Sequence, residues 1–121
     1  MSDKVLVCDD EPYILESVAY IIEREGFEVL TAEDGEEALD VAKKENPKLI
    51  FLDVMMPKKT GYEVCEELKS NPDTKDIHII MLTARGQDSD EQMAKDVGAN
   101  EYMTKPFSPR KLRKRLRSLL G

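Results

Sequence analysis

Cysteine is scarce in this 121-residue chain: Cys8 and Cys65 are the only two. That excludes a disulfide-dense secreted scaffold. No apolar run is long enough to cross a bilayer, and the N-terminal MSDKVLV lacks the parts of a signal peptide. A cytoplasmic protein without membrane contact is expected. Repeats, low-complexity tracts and Ser/Gly linkers are absent, so a single domain over residues 1–121 is expected. No GxGxxG or Walker loop is present, which removes a nucleotide cradle. Basic residues are outnumbered, 18 Lys and Arg against 25 Asp and Glu, for a net charge of −7. Every acid precedes Pro109; residues 109–121 carry +6 and the remainder −13. An acidic body is repelled by phosphate backbones, so nucleic acid is not an expected partner. The basic tail reads as a solvated helix face, helped where its charges approach the helix C-terminus.

Charged residues make up 36% and hydrophobic residues 40%, the composition of a folded globular domain. Short apolar runs alternate with amphipathic segments. Val5 to Cys8 is a β-branched-rich run closed by Asp9-Asp10. Pro12 suits a first helical turn, and Ile14, Val18, Ile21 and Ile22 predict a helix stopped at Gly26. A second strand at 28–32 precedes a helix carrying Ala38, Leu39, Val41 and Ala42. Leu49 to Leu52 is unbroken apolar sequence, as in a strand covered on both faces, and Asp53 follows it. Gly61 opens a third helix with Tyr62, Val64, Cys65 and Leu68. A fourth strand at 77–82 leads to Thr83, and a fourth helix spans 87–97. Tyr102-Met103 marks a short fifth strand before Lys105-Pro106. Ser108 can cap a last helix striped by Leu112, Leu116, Leu119 and Leu120. Five strand–helix units predict an α/β fold, a doubly wound parallel sheet with function at the carboxyl ends of its strands.

Those ends carry the chemistry. Asp9-Asp10, Asp53, Thr83 and Lys105 follow the first, third, fourth and fifth runs, so a parallel sheet brings all five side chains to one rim. Three carboxylates do not stay close and ionised without a partner. Mg²⁺ meets that need through carboxylates, water and phosphate oxygens. A cluster of acids without histidine suits a hard cation over a softer metal. Lys105 and the Thr83 hydroxyl supply a positive charge and a donor for a phosphate-like anion. The set suits a small phosphoryl group carried on the protein itself.

VLVCDDE, LIFLDVMMP, the TG at 60–61, IIMLTA and YMTKPF stand in this order, each at the end of an expected strand or the start of the helix after it. Together they resemble the receiver domains of bacterial response regulators, the CheY-like family of two-component signalling, over about Lys4 to Leu120. The resemblance implies a flavodoxin-like (βα)5 fold with strand order 2-1-3-4-5. It implies that Asp53 is the phosphoacceptor in a Mg²⁺-dependent reaction, with Mn²⁺ as a substitute. Asp10, Asp53 and the Met55 backbone carbonyl would hold the metal, and Asp9 would act through a water. Thr83 and Lys105 would bind phosphoryl oxygens, Thr83 and Tyr102 would form the switch, and Met55 and Arg85 would tune phosphoryl lifetime. A sensor histidine kinase is the implied donor, and the output is contact with an unknown downstream protein. The implied state is a monomer or a phosphorylation-dependent dimer. Such a protein is no enzyme beyond catalysing its own phosphorylation and dephosphorylation. The single histidine, His78, lies in the fourth apolar run, which argues against a donor role for this chain. Thr60 and His78 depart from the family's frequent Asp and Pro, and a cis Lys105–Pro106 bond is the family's habit.

Plainer readings stand beside these. Asp10 would merely cap the first helix, Lys105 would sit in a turn, and Tyr102 would be a surface strand aromatic. Cys8 and Cys65 read as packing residues. On the first helix Tyr13, Leu15 and Tyr20 lie off the core stripe, and with Ser17 they are candidates for kinase docking; scattered surface aromatics are the alternative. Two rival functions are a Mg²⁺-dependent aspartyl-phosphate hydrolase and the receiver part of a DNA-binding regulator. The first lacks its second acid in Asp53-Val54-Met55. The start at Met1 and the lack of a linker after Leu120 favour a stand-alone protein over the second.

Overall fold

Ten elements alternate along the chain in the computed structural model, which describes residues 3–84, 88–105 and 108–120. They are β1 (Lys4–Cys8), α1 (Pro12–Arg24), β2 (Glu28–Ala32), α2 (Gly35–Glu45) and β3 (Leu49–Asp53), then α3 (Gly61–Lys69), β4 (His78–Ala84), α4 (Asp88–Asp96), β5 (Glu101–Lys105) and α5 (Pro109–Leu120). All strand pairs are parallel, in the order β2-β1-β3-β4-β5. The expected fold class and strand order are therefore the observed ones.

The two-residue period of a strand explains why the apolar runs are unbroken. Leu6, Cys8, Ile50, Leu52, Ile79 and Met81 pack on one face with residues of α2, α3 and α4. Val5, Val7, Leu49, Phe51, Ile80, Leu82 and Met103 pack on the other with α1 and α5. The apolar runs of the inner strands β1, β3 and β4 are buried on both faces, so they need no polar alternation, whereas the edge strands β2 and β5 keep exposed positions. Asp53, Thr83 and Lys105 belong to the strands themselves rather than to the turns after them. Gln87, the expected start of the fourth helix, lies outside the described residues.

The first helix corrects an expectation. Leu15 is not a docking residue; it is buried with Val18 and Ile22 in the core. Residues 14, 15, 18, 21 and 22 are all apolar, so their spacing permits two rotations of the helix. Packing against the sheet selects the 15/18/22 stripe and leaves Ile14 and Ile21 half-buried on its flanks. Tyr13 and Tyr20 remain 86% and 64% exposed, with Ser17 exposed between them.

Thr60 begins α3 with a reciprocal cap. Its hydroxyl accepts from the Glu63 N–H at 3.2 Å, and the Glu63 carboxylate accepts from the Thr60 N–H at 2.9 Å. The Thr-x-x-Glu spacing is a capping box legible in the sequence. The basic α5 is partly tied to the acidic body: Arg115 donates to Glu101 of β5, and Arg117 to Glu25 beyond α1 at 2.7 Å.

Candidate functional site

The chain leaves β1 for the edge strand β2 and returns to β3 on the other side of β1. The carboxyl ends of β1 and β3 therefore diverge into the crevice where doubly wound sheets bind ligands. Asp9 follows β1 directly. Its N–H donates to the Ala32 carbonyl at 3.1 Å, and its Oδ1 accepts from the Glu11 N–H at 2.9 Å, so the buried side chain is fixed from both sides. Asp10 is exposed and does not cap α1, whose N-cap is Glu11. Asp53 closes β3 and is 5% exposed. One carboxylate oxygen from each of Asp9, Asp10 and Asp53 lies within 4.8 Å of the others.

Lys105, the last residue of β5, reaches into this cluster. Its Nζ donates to Asp9 Oδ2 at 2.8 Å and to Asp53 Oδ1 at 3.1 Å. Burial opposes the ammonium charge, yet the two carboxylates hold the Lys105 pKa above the usual lysine value. Asp53 is pushed up to about 6, first by burial and then by the negative charge of Asp9. Lys105 and the Met55 N–H pull it back without cancelling the rise. The thiols behave as packing groups: burial pushes Cys8 well up and Cys65 to about 11, so neither supplies a thiolate at neutral pH.

Thr83 is fully buried, and its hydroxyl donates a long 3.4 Å bond to the Met103 carbonyl of β5. Tyr102 lies on the edge strand β5, 38% exposed, in register with Met81. The Met55 side chain is exposed, on the loop after β3. Arg85 and Pro106, and with Pro106 the expected cis bond, lie outside the described residues. His78 stands at the opposite end of β4, where Nε2 meets Glu101 Oε2 at 2.5 Å beside Arg115. The structure thus brings together Asp9, Asp10, Asp53 and Lys105, and sets the Tyr13/Ser17/Tyr20 face apart on α1.

Spacing alone did not reveal what Gly61 does. A Cβ there would stand 2.2 Å from the Asp53 carbonyl oxygen, with Asp53 C and Val54 Cα at 2.9 Å. The Gly61 N–H also donates to the Val54 carbonyl at 2.9 Å. The start of α3 is therefore pressed onto the backbone that carries the Asp53 side chain.

Residues 5–117 match the response regulator receiver domain family. The chain belongs to that family. The receiver domain is 47% identical over 120 residues to the alkaline phosphatase synthesis transcriptional regulatory protein PhoP of Bacillus subtilis, covering 99% of this chain and 49% of PhoP. It spans about half the length of the curated relatives it matches. The chemotaxis response regulator CheY4 of Vibrio cholerae superposes with a TM-score of 0.91 at 38% identity, over 99% of this chain and 100% of CheY4. The receiver domain of sensor histidine kinase PA1611 from Pseudomonas aeruginosa PAO1 superposes with a TM-score of 0.91 at 25% identity, over 100% and 99% of the two chains, and has magnesium coordinated in its active-site cleft. This chain is accordingly the receiver domain of a two-component response regulator. Among the described residues, no helix is long and apolar enough to cross a membrane.

Proposed function

We propose that Asp53 accepts a phosphoryl group from the phosphohistidine of a sensor kinase, and that the phosphorylated domain displays a changed face to a downstream protein. The observation carrying this reading is the convergence of Asp9, Asp10, Asp53 and Lys105 on one strand-end crevice. In the transfer, the nitrogen–phosphorus bond of the donor breaks as an Asp53 carboxylate oxygen bonds to phosphorus, and the imidazole leaves. Lys105, poised between Asp9 and Asp53, turns its ammonium to the incoming phosphoryl oxygens, where developing negative charge is stabilised. The domain then catalyses nothing beyond its own phosphorylation and dephosphorylation, in the cytoplasm. Intact mass after incubation with a small phosphodonor and Mg²⁺ tests this. A gain of one acid-labile phosphoryl per chain is expected; no gain at any donor concentration overturns it.

The cluster fits a hard cation, for its donors are all oxygen and two of its three carboxylates are buried. Asp10, Asp53 and the Met55 carbonyl would hold Mg²⁺, with Mn²⁺ as a substitute, and Asp9 would reach it through a water. Bound there, Mg²⁺ supplies positive charge to the carboxylates and to phosphoryl oxygens. Mg²⁺ should therefore raise the melting temperature by mass action, and Asp10→Asn should weaken that rise about tenfold in the Mg²⁺ concentration required. Equal Mg²⁺ dependence in both proteins would remove Asp10 from the site.

Thr83 couples the site to the output. Its 3.4 Å bond to the Met103 carbonyl is weak enough to exchange for a phosphoryl oxygen. Drawing the hydroxyl inward opens space beside β5, into which Tyr102 moves, biasing an equilibrium that exists before phosphorylation. With Thr83→Ala, phosphate should still be accepted, but the amide shifts around Lys95, Tyr102 and Leu112 on adding beryllofluoride and Mg²⁺ should shrink. Equal responses in both proteins would exclude this relay. The exposed Tyr13, Ser17 and Tyr20 of α1 remain the proposed kinase contact, and Met55 and Arg85 the lifetime positions. A second reading is supported by the transcriptional regulators that this chain half covers: here the receiver would control a DNA-binding part outside this chain, so nucleic acid enters through that part. The reading frame beyond residue 121 separates the two.

A further inference from the structure

The loop joining β3 to α3, residues 54–60, is held by a different element, the N-terminal corner of α2. The Gly35 N–H donates to the Pro57 carbonyl at 3.1 Å. A Cβ on Gly35 would lie 2.2 Å from the Lys59 carbonyl oxygen and 2.5 Å from Lys59 Cβ, so the loop backbone rests directly on this glycine. Asp34 serves two groups: its Oδ1 accepts from the Glu37 N–H at 2.8 Å to cap α2, and its Oδ2 lies 3.6 Å from Lys58 Nζ. Lys58 has a φ of 72°, and the Lys59 N–H donates to the Pro57 carbonyl at 2.8 Å, which folds the loop tightly at this contact. Met56 is buried in the core cluster that contains Ala38 and Leu39 of α2. Met55 is thus an exposed residue of a loop pinned immediately after it, at 56, 57, 58 and 59.

We propose that the Asp34-Gly35 corner is a positioning element for the metal, holding the 54–60 loop where the Met55 carbonyl can serve as a ligand. This rests on the metal reading given above. Gly35 touches no substrate and no reacting atom. It acts because a loop left free would have to be ordered when the cation binds, at a cost in affinity. Any side chain at 35 pushes the Lys59 backbone away and moves the carbonyl with it. Outer groups that orient metal ligands carry a large share of affinity in just this way.

The test titrates wild type and Gly35→Ala with Mg²⁺ alone, following backbone amide shifts. Wild type should saturate, and Gly35→Ala should need about tenfold or more Mg²⁺ for half-saturation. At saturating Mg²⁺ the variant should regain most of its phosphorylation rate with a small phosphodonor, a split that general destabilisation does not produce. A folded Gly35→Ala with wild-type Mg²⁺ affinity, even at a lowered melting temperature, overturns the inference while leaving the metal site standing. A wild type that shows no Mg²⁺ isotherm overturns the metal reading and this inference with it. If Gly35→Ala does not fold, hydrogen exchange in wild type decides, because coupling is reciprocal. Mg²⁺ must slow exchange of the Gly35 N–H, and unchanged exchange overturns the proposal.

Discussion

Asp53→Asn is expected to abolish acid-labile phosphorylation and, at neutral pH, to make the folded domain more stable. The loss follows from the chemistry, since an amide is not a competent acceptor. The gain follows from electrostatics. Burial and the neighbouring Asp9 charge raise the Asp53 pKa from 3.8 to about 6. A carboxyl whose pKa is higher in the folded than in the unfolded state holds its proton more tightly when folded. The stability this contributes is fully present below about pH 4 and is lost as pH rises through about 6. At pH 7 wild type has lost it, while the neutral amide has no charge to bury. The shift corresponds to about 3 kcal/mol at most, reduced by the bond Lys105 loses. A gain of about 1–3 kcal/mol at pH 7, shrinking towards pH 4, is expected from urea unfolding of the two proteins side by side. A stability difference that does not change between pH 7 and pH 4 would show that the Asp53 carboxylate is not held under strain. Phosphorylation of the variant at normal yield would show that Asp53 is not the acceptor.

Gly61→Ala should damage both fold and site. The added Cβ meets backbone atoms of Asp53 and Val54 at 2.2–2.9 Å, and backbone cannot turn aside as a side chain can. Either α3 withdraws from the sheet or the end of β3 moves. A destabilisation of about 2–4 kcal/mol is expected, in the range of overpacking at a buried contact. The acceptor shares that backbone, so a displacement approaching 1 Å should slow phosphorylation about a hundredfold. Gly26→Ala is the control. Gly26 has a φ of +93° and nothing within 4 Å of an added Cβ. That variant should lose about 1 kcal/mol through backbone strain and phosphorylate normally. Phosphorylation of Gly61→Ala at the wild-type rate would mean that the α3 contact does not place Asp53.

Much of this architecture was legible because its signals are local. Glycine and proline punctuate the helices, and unbroken Leu49–Leu52 announces a strand covered twice. The order of the strands came from resemblance, since no pattern within a strand names its neighbours. Asp9, Asp10, Asp53, Thr83 and Lys105 were legible because each lies at or next to a strand end, and parallel strands share one rim. The capping box of α3 went unread, although Thr60 and Glu63 stand at its spacing. Leu15 was misplaced for a physical reason. With five apolar residues crowding α1, periodicity alone leaves the helix free to rotate, and the sheet's surface chooses the rotation.

By itself, then, the sequence determined the alternation of elements, the two-sided core and the chemical types gathered at the rim. Only tertiary structure decided what those groups do to one another. Lys105 and Asp9 are 96 residues apart, and nothing between them encodes a 2.8 Å bond; it exists because β5 and β1 end on the same side of one sheet. The raised Asp53 pKa likewise comes from burial and from Asp9, neither of which is a property of the LIFLD segment. Gly35 and Gly61 look like ordinary helix starts in sequence. Their significance comes from a non-local approach of backbone to Cα, which a one-dimensional pattern does not record and close packing enforces.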